Sequence, residues 1–384
     1  MRVLISTRQG AGHFGPLVPF AHALLRDDAE VLVTAPRVAA PMIAAAGLDH
    51  HPIPDPPAGE RDQIFADARQ MDPDDANARV VSDVFIRIDT TASYPHLRRA
   101  IDRWQPDVVL YDISDFAAGL AAEAAGVPAV SVEITLGEHM KRLGPVIAEA
   151  LDEVRAQVGL EPDPRLERIP HTPSFTLIPE GLEDAAQAGG RPPLRFRVPE
   201  PRAPRPLPDW WPNDQWPLVY LTFGSVAPEM DFFPSLYRGA IDALSALPVR
   251  VLVTVGRERD PADIGPVAPN VHVAGWVPQA DVMPHAAAMV CHGGSGTVNA
   301  GLAAGLPMAV VPLFADQPHN ARRVAEIGAG IAVAPDQLMR LPDAVRSLLA
   351  DGSYRAAANQ IAGNAKRLPT VEEASKILRG FVAA

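Results

Sequence analysis

His13 lies between Gly12 and Gly15 in the opening stretch MRVLISTRQGAGHFGPLVPFA, directly after an apolar run, Arg2 to Ser6, that reads as a strand. Gly10, Gly12 and Gly15 spell G-x-G-x-x-G, a spacing that turns a strand into a helix and lets backbone N–H groups approach a phosphate. Two chemistries are open to such a turn. A dinucleotide site needs an acidic residue about 20 residues on, at the end of the second strand, to bind ribose hydroxyls. That strand, EVLVTAPR, begins with Glu30 and ends in Thr34, Ala35 and Pro36, so the acid is missing and an NAD-dependent oxidoreductase is set aside. The other chemistry is general-base catalysis. An imidazole with a pKa of about 6.5 accepts a proton from an attacking hydroxyl, which contributes about 10²- to 10⁴-fold. Such a base gains from a carboxylate that fixes its tautomer. Asp112, closing the apolar run DVVLYD, stands at a strand end where an open parallel sheet displays functional groups. Asp115, just before Phe116, reads better as a helix N-cap.

A second cluster, VCHGGSGTVNAGLAAGLP, sets His292, Gly293, Gly294, Ser295, Gly296 and Thr297 between a strand and a helix. Free N–H groups at a helix start attract anions, so this turn can cradle a diphosphate, although a glycine-rich turn is as often only structural. GWVPQ precedes it, with Trp276 sixteen residues before His292, and FADQPHNA follows. In this order and spacing, G-W-x-P-Q, H-x-G-x-G-T and D-Q-x-x-N-A resemble the donor-binding signature of family 1 glycosyltransferases of the GT-B type, in particular the bacterial macrolide and polyketide enzymes. The strong motifs cover residues 275–321. GHFGPLVPFA resembles the same family's first-domain motif.

The resemblance implies two Rossmann-like parallel-sheet domains facing each other across a cleft, and a role for each matched position. Trp276 stacks on the base, Val277 meets its edge, and Gln279 closes the nucleoside pocket. His292, Gly293, Gly294, Ser295, Gly296 and Thr297 hold the diphosphate, Asp316 and Gln317 grip sugar hydroxyls, and Ser225 in TFGS is a further phosphate-side contact. His13 becomes the base and Asp112 its partner. Plant members carry a ribose-binding glutamate eight residues after the motif histidine; here that place is Ala300, beside Asn299, which favours thymidine over uridine diphosphate. The implied reaction is inverting, metal-independent transfer of a deoxysugar to a hydroxyl of a natural-product aglycone, with a nucleotide sugar as co-substrate and no cofactor. Attack by carbon in place of oxygen is left open. A catalytically inactive nucleotide-binding partner protein is the rival reading, and the retained His13 and Asp112 speak against it.

These residues need a scaffold, and the chain supplies one twice. Strand-like runs alternate with helical patterns through Pro16–Leu25, Glu30–Thr34, Arg37–Ala46, Val108–Tyr111, Phe116–Ala125 and Ala129–Val132, the mark of parallel crossover units. Pro16 suits a first helical position. Residues 58–100 and 135–175 break the alternation and read as insertions where a variable ligand would be recognised. A stretch from Gly189 to Pro217 with nine of the 41 prolines reads as a semi-rigid linker. The expected division is a first domain over 1–188, a linker over 189–216, a second domain over 217–369 and a helix over 370–384 that returns to the first domain.

A formal charge of −12 excludes a nucleic-acid or anionic-membrane surface as the expected partner. A lone cysteine, Cys291, excludes an internal disulfide and reads as a core residue, and with no long apolar stretch the expected setting is the cytoplasm. Self-association to a homodimer is left open. The D-x-D in DPDD at 72–75 has no nucleotide motif nearby and is read as a helix start, with no metal site. His50 and His51 would point to opposite faces of a strand, and His285 and His319 are expected at the surface.

Overall fold

The computed structural model describes residues 1–168, 173–183, 192–198, 204–211 and 215–383. It contains two parallel sheets, each in its own compact unit. The first has the order β3-β2-β1-β4-β5-β6-β7, with β1 Arg2–Ser6, β2 Glu30–Pro36, β3 His50–Ile53, β4 Val108–Asp112, β5 Ala129–Glu133, β6 Ser174–Thr176 and β7 Leu194–Arg195. Its central strands are continuous apolar runs because helices cover both faces; every residue of β4 is buried. The second sheet has the order β10-β9-β8-β11-β12-β13, with β8 Leu218–Thr222, β9 Arg250–Thr254, β10 Val271–Ala274, β11 Ala286–Cys291, β12 Met308–Val310 and β13 Gly330–Ala332. Strand order reverses between β1 and β4 and again between β8 and β11. Such a switch point opens a crevice at the carboxyl ends of an open α/β sheet, and His13, Asp112, Ser225 and His292 all follow or close one of these four strands.

The glycine-rich turn differs from its expected form. Helical backbone begins at Ala11, five residues before Pro16. Gly10, at φ 111°, reverses the chain, and its carbonyl accepts the N–H groups of His13 and Phe14, each at 3.1 Å. A 3₁₀ turn over Gly15–Leu17, in which Val18 N–H donates to Gly15 O, carries Pro16 into the helix Val18–Arg26. His13 therefore rides on a fixed helical turn and not on a loop.

The expected linker is another point of difference. Residues 189–191, 199–203 and 212–214 lie outside the described residues, but Leu194–Arg195 form the edge strand of the first sheet, with Phe196 N–H donating to Thr176 at 2.9 Å. Phe196 buries itself against Phe20 and Phe175, with ring centroids 5.4 and 5.0 Å away, so apolar packing outweighs the surrounding prolines. Farther along, Trp211 belongs to the second unit, where its indole N–H donates to Asn270 at 3.1 Å. The first unit comprises residues 1–178, 183–199 and 368–384, and the second 179–182 and 200–367. The terminal helix Val371–Ala383 packs on Val18–Arg26; Val371, Ala374 and Leu378 enter the first core, and Arg26 pairs with Glu372 at 2.6 Å.

Several side chains have plain structural jobs. Asp72 caps the helix Pro73–Arg79 by accepting from Asp74 N–H, and Asp74 pairs with Arg142. Cys291 is fully buried, and burial pushes its thiol up to about 12. His285 is exposed, but His319 is buried and bonded to Arg322 at 2.7 Å, contrary to its expected surface position, because it lies on the inner face of the helix Gln317–Glu326. Among the described residues, no helix is long and apolar enough to cross a membrane.

Candidate active site and donor site

In the first unit the expected base and its expected partner meet. His13 Nδ1 lies 2.7 Å from Asp112 Oδ2, and Asp112 is fully buried while the imidazole keeps about a quarter of its surface, 23%, exposed. The carboxylate is an acceptor, so Nδ1 carries the proton and Nε2 is left with its lone pair. Ser114 completes the arrangement and was not anticipated: its hydroxyl lies 3.0 Å from both Asp112 oxygens and from His13 Nδ1, and its backbone N–H donates to Asp112 Oδ1 at 2.9 Å. A serine two residues after an aspartate is a common turn pairing, which is the signal the sequence carried. The His13 ring meets the edge of Phe85 at 6.0 Å, and Phe85 comes from a π-helical turn over Val80–Thr90, a rare geometry frequent at functional sites.

Asp115 does cap the helix Phe116–Ala125, accepting from Ala118 N–H, and also accepts from Ser6 Oγ at 2.6 Å. Burial, reinforced by the charge of Asp112, raises its pKa from 3.8 to about 6. A carboxyl whose folded pKa is raised binds more protons when folded, so stability falls as pH rises through about 6. Asp115→Asn keeps the cap and removes the buried charge. Its melting temperature is expected to exceed that of the unaltered protein by several degrees at pH 8, and the gap to close toward pH 5; an unchanged or lower melting temperature at pH 8 would refute the assignment.

In the second unit Gly294 is the N-cap of the helix Ser295–Ala303 with no side-chain cap bond, and Thr297 N–H and Val298 N–H already donate to Gly294 O at 3.0 Å. The expected role of Thr297 narrows accordingly, since its side chain is buried too; Ser295 and the exposed Gly296 offer the first-turn N–H groups. The His292 ring is wedged between Gly224 and Gly294. A Cβ built on Gly224 would come within 2.6 Å of the ring, and one on Gly294 closer still. This packing strips water from the imidazole and drives its pKa from 6.5 down to about 4, against the opposing charge of Asp316. The ring is therefore neutral near pH 7, and its Nδ1 is buried without a hydrogen-bond partner.

Asp316 stands at the N-cap position of Gln317–Glu326 but makes no cap bond. Instead its Oδ2 accepts from Ser295 Oγ at 2.8 Å and from Asn320 Nδ2 at 3.1 Å, while Asn320 Nδ2 also reaches Gly293 O at 2.8 Å. Asn320, four residues on in D-Q-x-x-N-A, is the tie that sequence reading passed over. Ala315 before it holds φ 55°, a left-handed backbone that few non-glycine residues adopt. Gln317 is buried, and its Oε1 accepts Leu313 N–H at 2.8 Å and Phe314 N–H at 3.1 Å, which leaves its amide nitrogen for a ligand.

Trp276 is 48% exposed after β10, with the Arg257 guanidinium 4.2 Å from its ring centroid, a cation–π contact also missed from sequence. Val277 beside it is half-buried, Gln279 opens the short helix Gln279–Val282 and bonds the buried Tyr220 hydroxyl, and Ser225 is exposed on the turn after β8.

Two constellations thus stand at sheet switch points, one able to move a proton and one able to meet an anion. Residues 238–381 match the family described as erythromycin biosynthesis protein CIII-like, C-terminal domain. The chain is 31% identical over 378 residues to an L-demethylnoviosyl transferase of Streptomyces niveus, covering 96% of this chain and 95% of that protein. Among solved structures it is similar to the glycosyltransferase VinC in complex with dTDP, with 25% identity, a TM-score of 0.78 and 100% of both chains covered. It is also similar to the Streptomyces sp. SF2575 glycosyltransferase SsfS6 complexed with thymidine diphosphate, with 25% identity, a TM-score of 0.72 and 99% of both chains covered. The chain belongs to the family of bacterial natural-product glycosyltransferases of the family 1, GT-B type. It is accordingly an enzyme of sugar transfer to natural-product aglycones.

Proposed function

We propose that this enzyme transfers a deoxysugar from thymidine diphosphate to a hydroxyl of a small-molecule aglycone, with inversion at the anomeric carbon and without a metal ion. The observation that carries the reading is the hydrogen bond between His13 Nδ1 and the buried Asp112, which leaves Nε2 as the base. Nε2 takes the acceptor hydroxyl proton, the oxygen forms its bond to the anomeric carbon from the face opposite the diphosphate, and the carbon–oxygen bond to the diphosphate breaks. Asp112 stabilises the imidazolium that results. Negative charge grows on the departing diphosphate, where the first-turn N–H groups of Ser295 and Gly296 and the His292 imidazole meet it as preorganised donors. Trp276 supplies a flat surface for the base, and Asp316, held by Ser295 and Asn320, accepts sugar hydroxyls. The thymidine assignment draws on Ala300 standing where a ribose-binding glutamate would be and on the dTDP complexes of the two solved relatives. In this reading the enzyme works in the cytoplasm on two small molecules and needs no nucleic acid or membrane.

The test has two parts. Product made from an α-linked dTDP-sugar should carry a β-glycosidic bond by NMR, at a rate that a chelator leaves unchanged; an α-product or loss of rate with chelator would refute inversion or metal independence. In a thermal-shift panel of dTDP, UDP, GDP and NAD, dTDP should raise the melting temperature most. A larger shift with NAD or GDP would overturn the donor reading.

A further inference from the structure

The first unit has a recess near His13. Nine of the thirteen residues lining it are polar or charged, so polar atoms are spread along its wall, where small-molecule pockets usually place only a few. At its centre Asp89 receives two guanidiniums, Arg8 at 2.6 Å and Arg61 at 3.1 Å, and the three side chains are only 7%, 10% and 11% exposed. Arg8 lies 3.6 Å over the Phe85 ring, the same ring that His13 meets at its edge, and Arg8 Nε is buried without a hydrogen-bond partner. Ser114 both touches His13 Nδ1 and lines the recess, so the recess lies one side chain away from the imidazole. Asp115 and Ser93 add further polar wall.

Buried charges of this kind are weak stabilisers of a fold, and apolar residues of similar size commonly serve it as well. A wall of hydrogen-bonding groups is, however, an efficient way to reject a ligand that lacks matching atoms, because the groups are then left unpaired. We propose that this recess selects acceptors bearing a second oxygen, hydroxyl or carbonyl, on the carbon next to the reacting hydroxyl, with Arg8 and Arg61 donating to it and Asp89 accepting from it. The inference rests on His13 being the acceptor-side base.

Binding of 2,3-dihydroxynaphthalene and of 2-naphthol, each followed by its own fluorescence, compares two rings that differ by one vicinal oxygen. The diol is expected to bind about ten-fold tighter or more. Arg61→Gln should remove most of that preference while binding 2-naphthol as the unaltered protein does. Equal affinities in the unaltered protein, no binding of either ring, or an undiminished preference in Arg61→Gln overturns the proposal. Circular dichroism melting and dTDP affinity show whether the variant has folded; if it has not, Ser93→Ala, which removes one hydroxyl from the same wall, should reduce the preference. Failure of the unaltered protein to bind dTDP would instead sink the donor reading and leave the naphthol comparison standing.

Discussion

His13→Ala is expected to lower kcat by about 10²- to 10⁴-fold while leaving dTDP affinity unchanged. The imidazole belongs to the first unit and makes its polar contacts with Asp112 and Ser114 there, whereas His292 and Asp316 belong to the second. Asp112→Asn should reproduce much of the loss without emptying the site, because an amide nitrogen facing Nδ1 favours the tautomer with its proton on Nε2. Turnover measured at saturating donor, with dTDP affinity from calorimetry on the same preparations, separates the two properties. Turnover of His13→Ala within a few-fold of the unaltered enzyme would remove His13 as the base.

His292→Ala should show the opposite pattern, with dTDP bound about 10- to 100-fold more weakly, the cost of one hydrogen bond to a charged group. The neutral ring, pushed down to a pKa of about 4 by its packing against Gly224 and Gly294, offers a single directed donor and not a mobile cation. Binding should therefore be nearly flat between pH 6 and 8 apart from the titration of the phosphates themselves. Unchanged dTDP affinity in His292→Ala would count against the assignment of this turn to the diphosphate.

Much of this was readable in one chain because the chemistry sits in contiguous motifs at strand ends. His13, Asp112 and His292 each follow an apolar run that can only be a buried parallel strand, so their placement came with the alternation of strands and helices. The helical start at Ala11 was not readable, since Pro16 is a better local signal than the reversal at Gly10 that overrides it. The split of the proline-rich stretch was missed for a related reason: Phe196 finds two aromatic partners, Phe20 and Phe175, that are distant in sequence. Arg8, Arg61 and Asp89 come from three separate segments, and nothing local to any of them announces the ion group they form. Gln317 shows the converse, a motif residue whose side-chain oxygen is taken up by its own loop.

The return of Val371–Ala383 to the first core has a consequence for how the enzyme is made. The ribosome delivers these residues only after the whole second unit, and until then the groove on Val18–Arg26 that receives Val371, Ala374 and Leu378 stands open. Domains generally fold in the order of synthesis, yet here the N-terminal unit draws part of its core from the last residues made. The first core can therefore be completed only once residues 371–383 have been made, after every residue of the second unit.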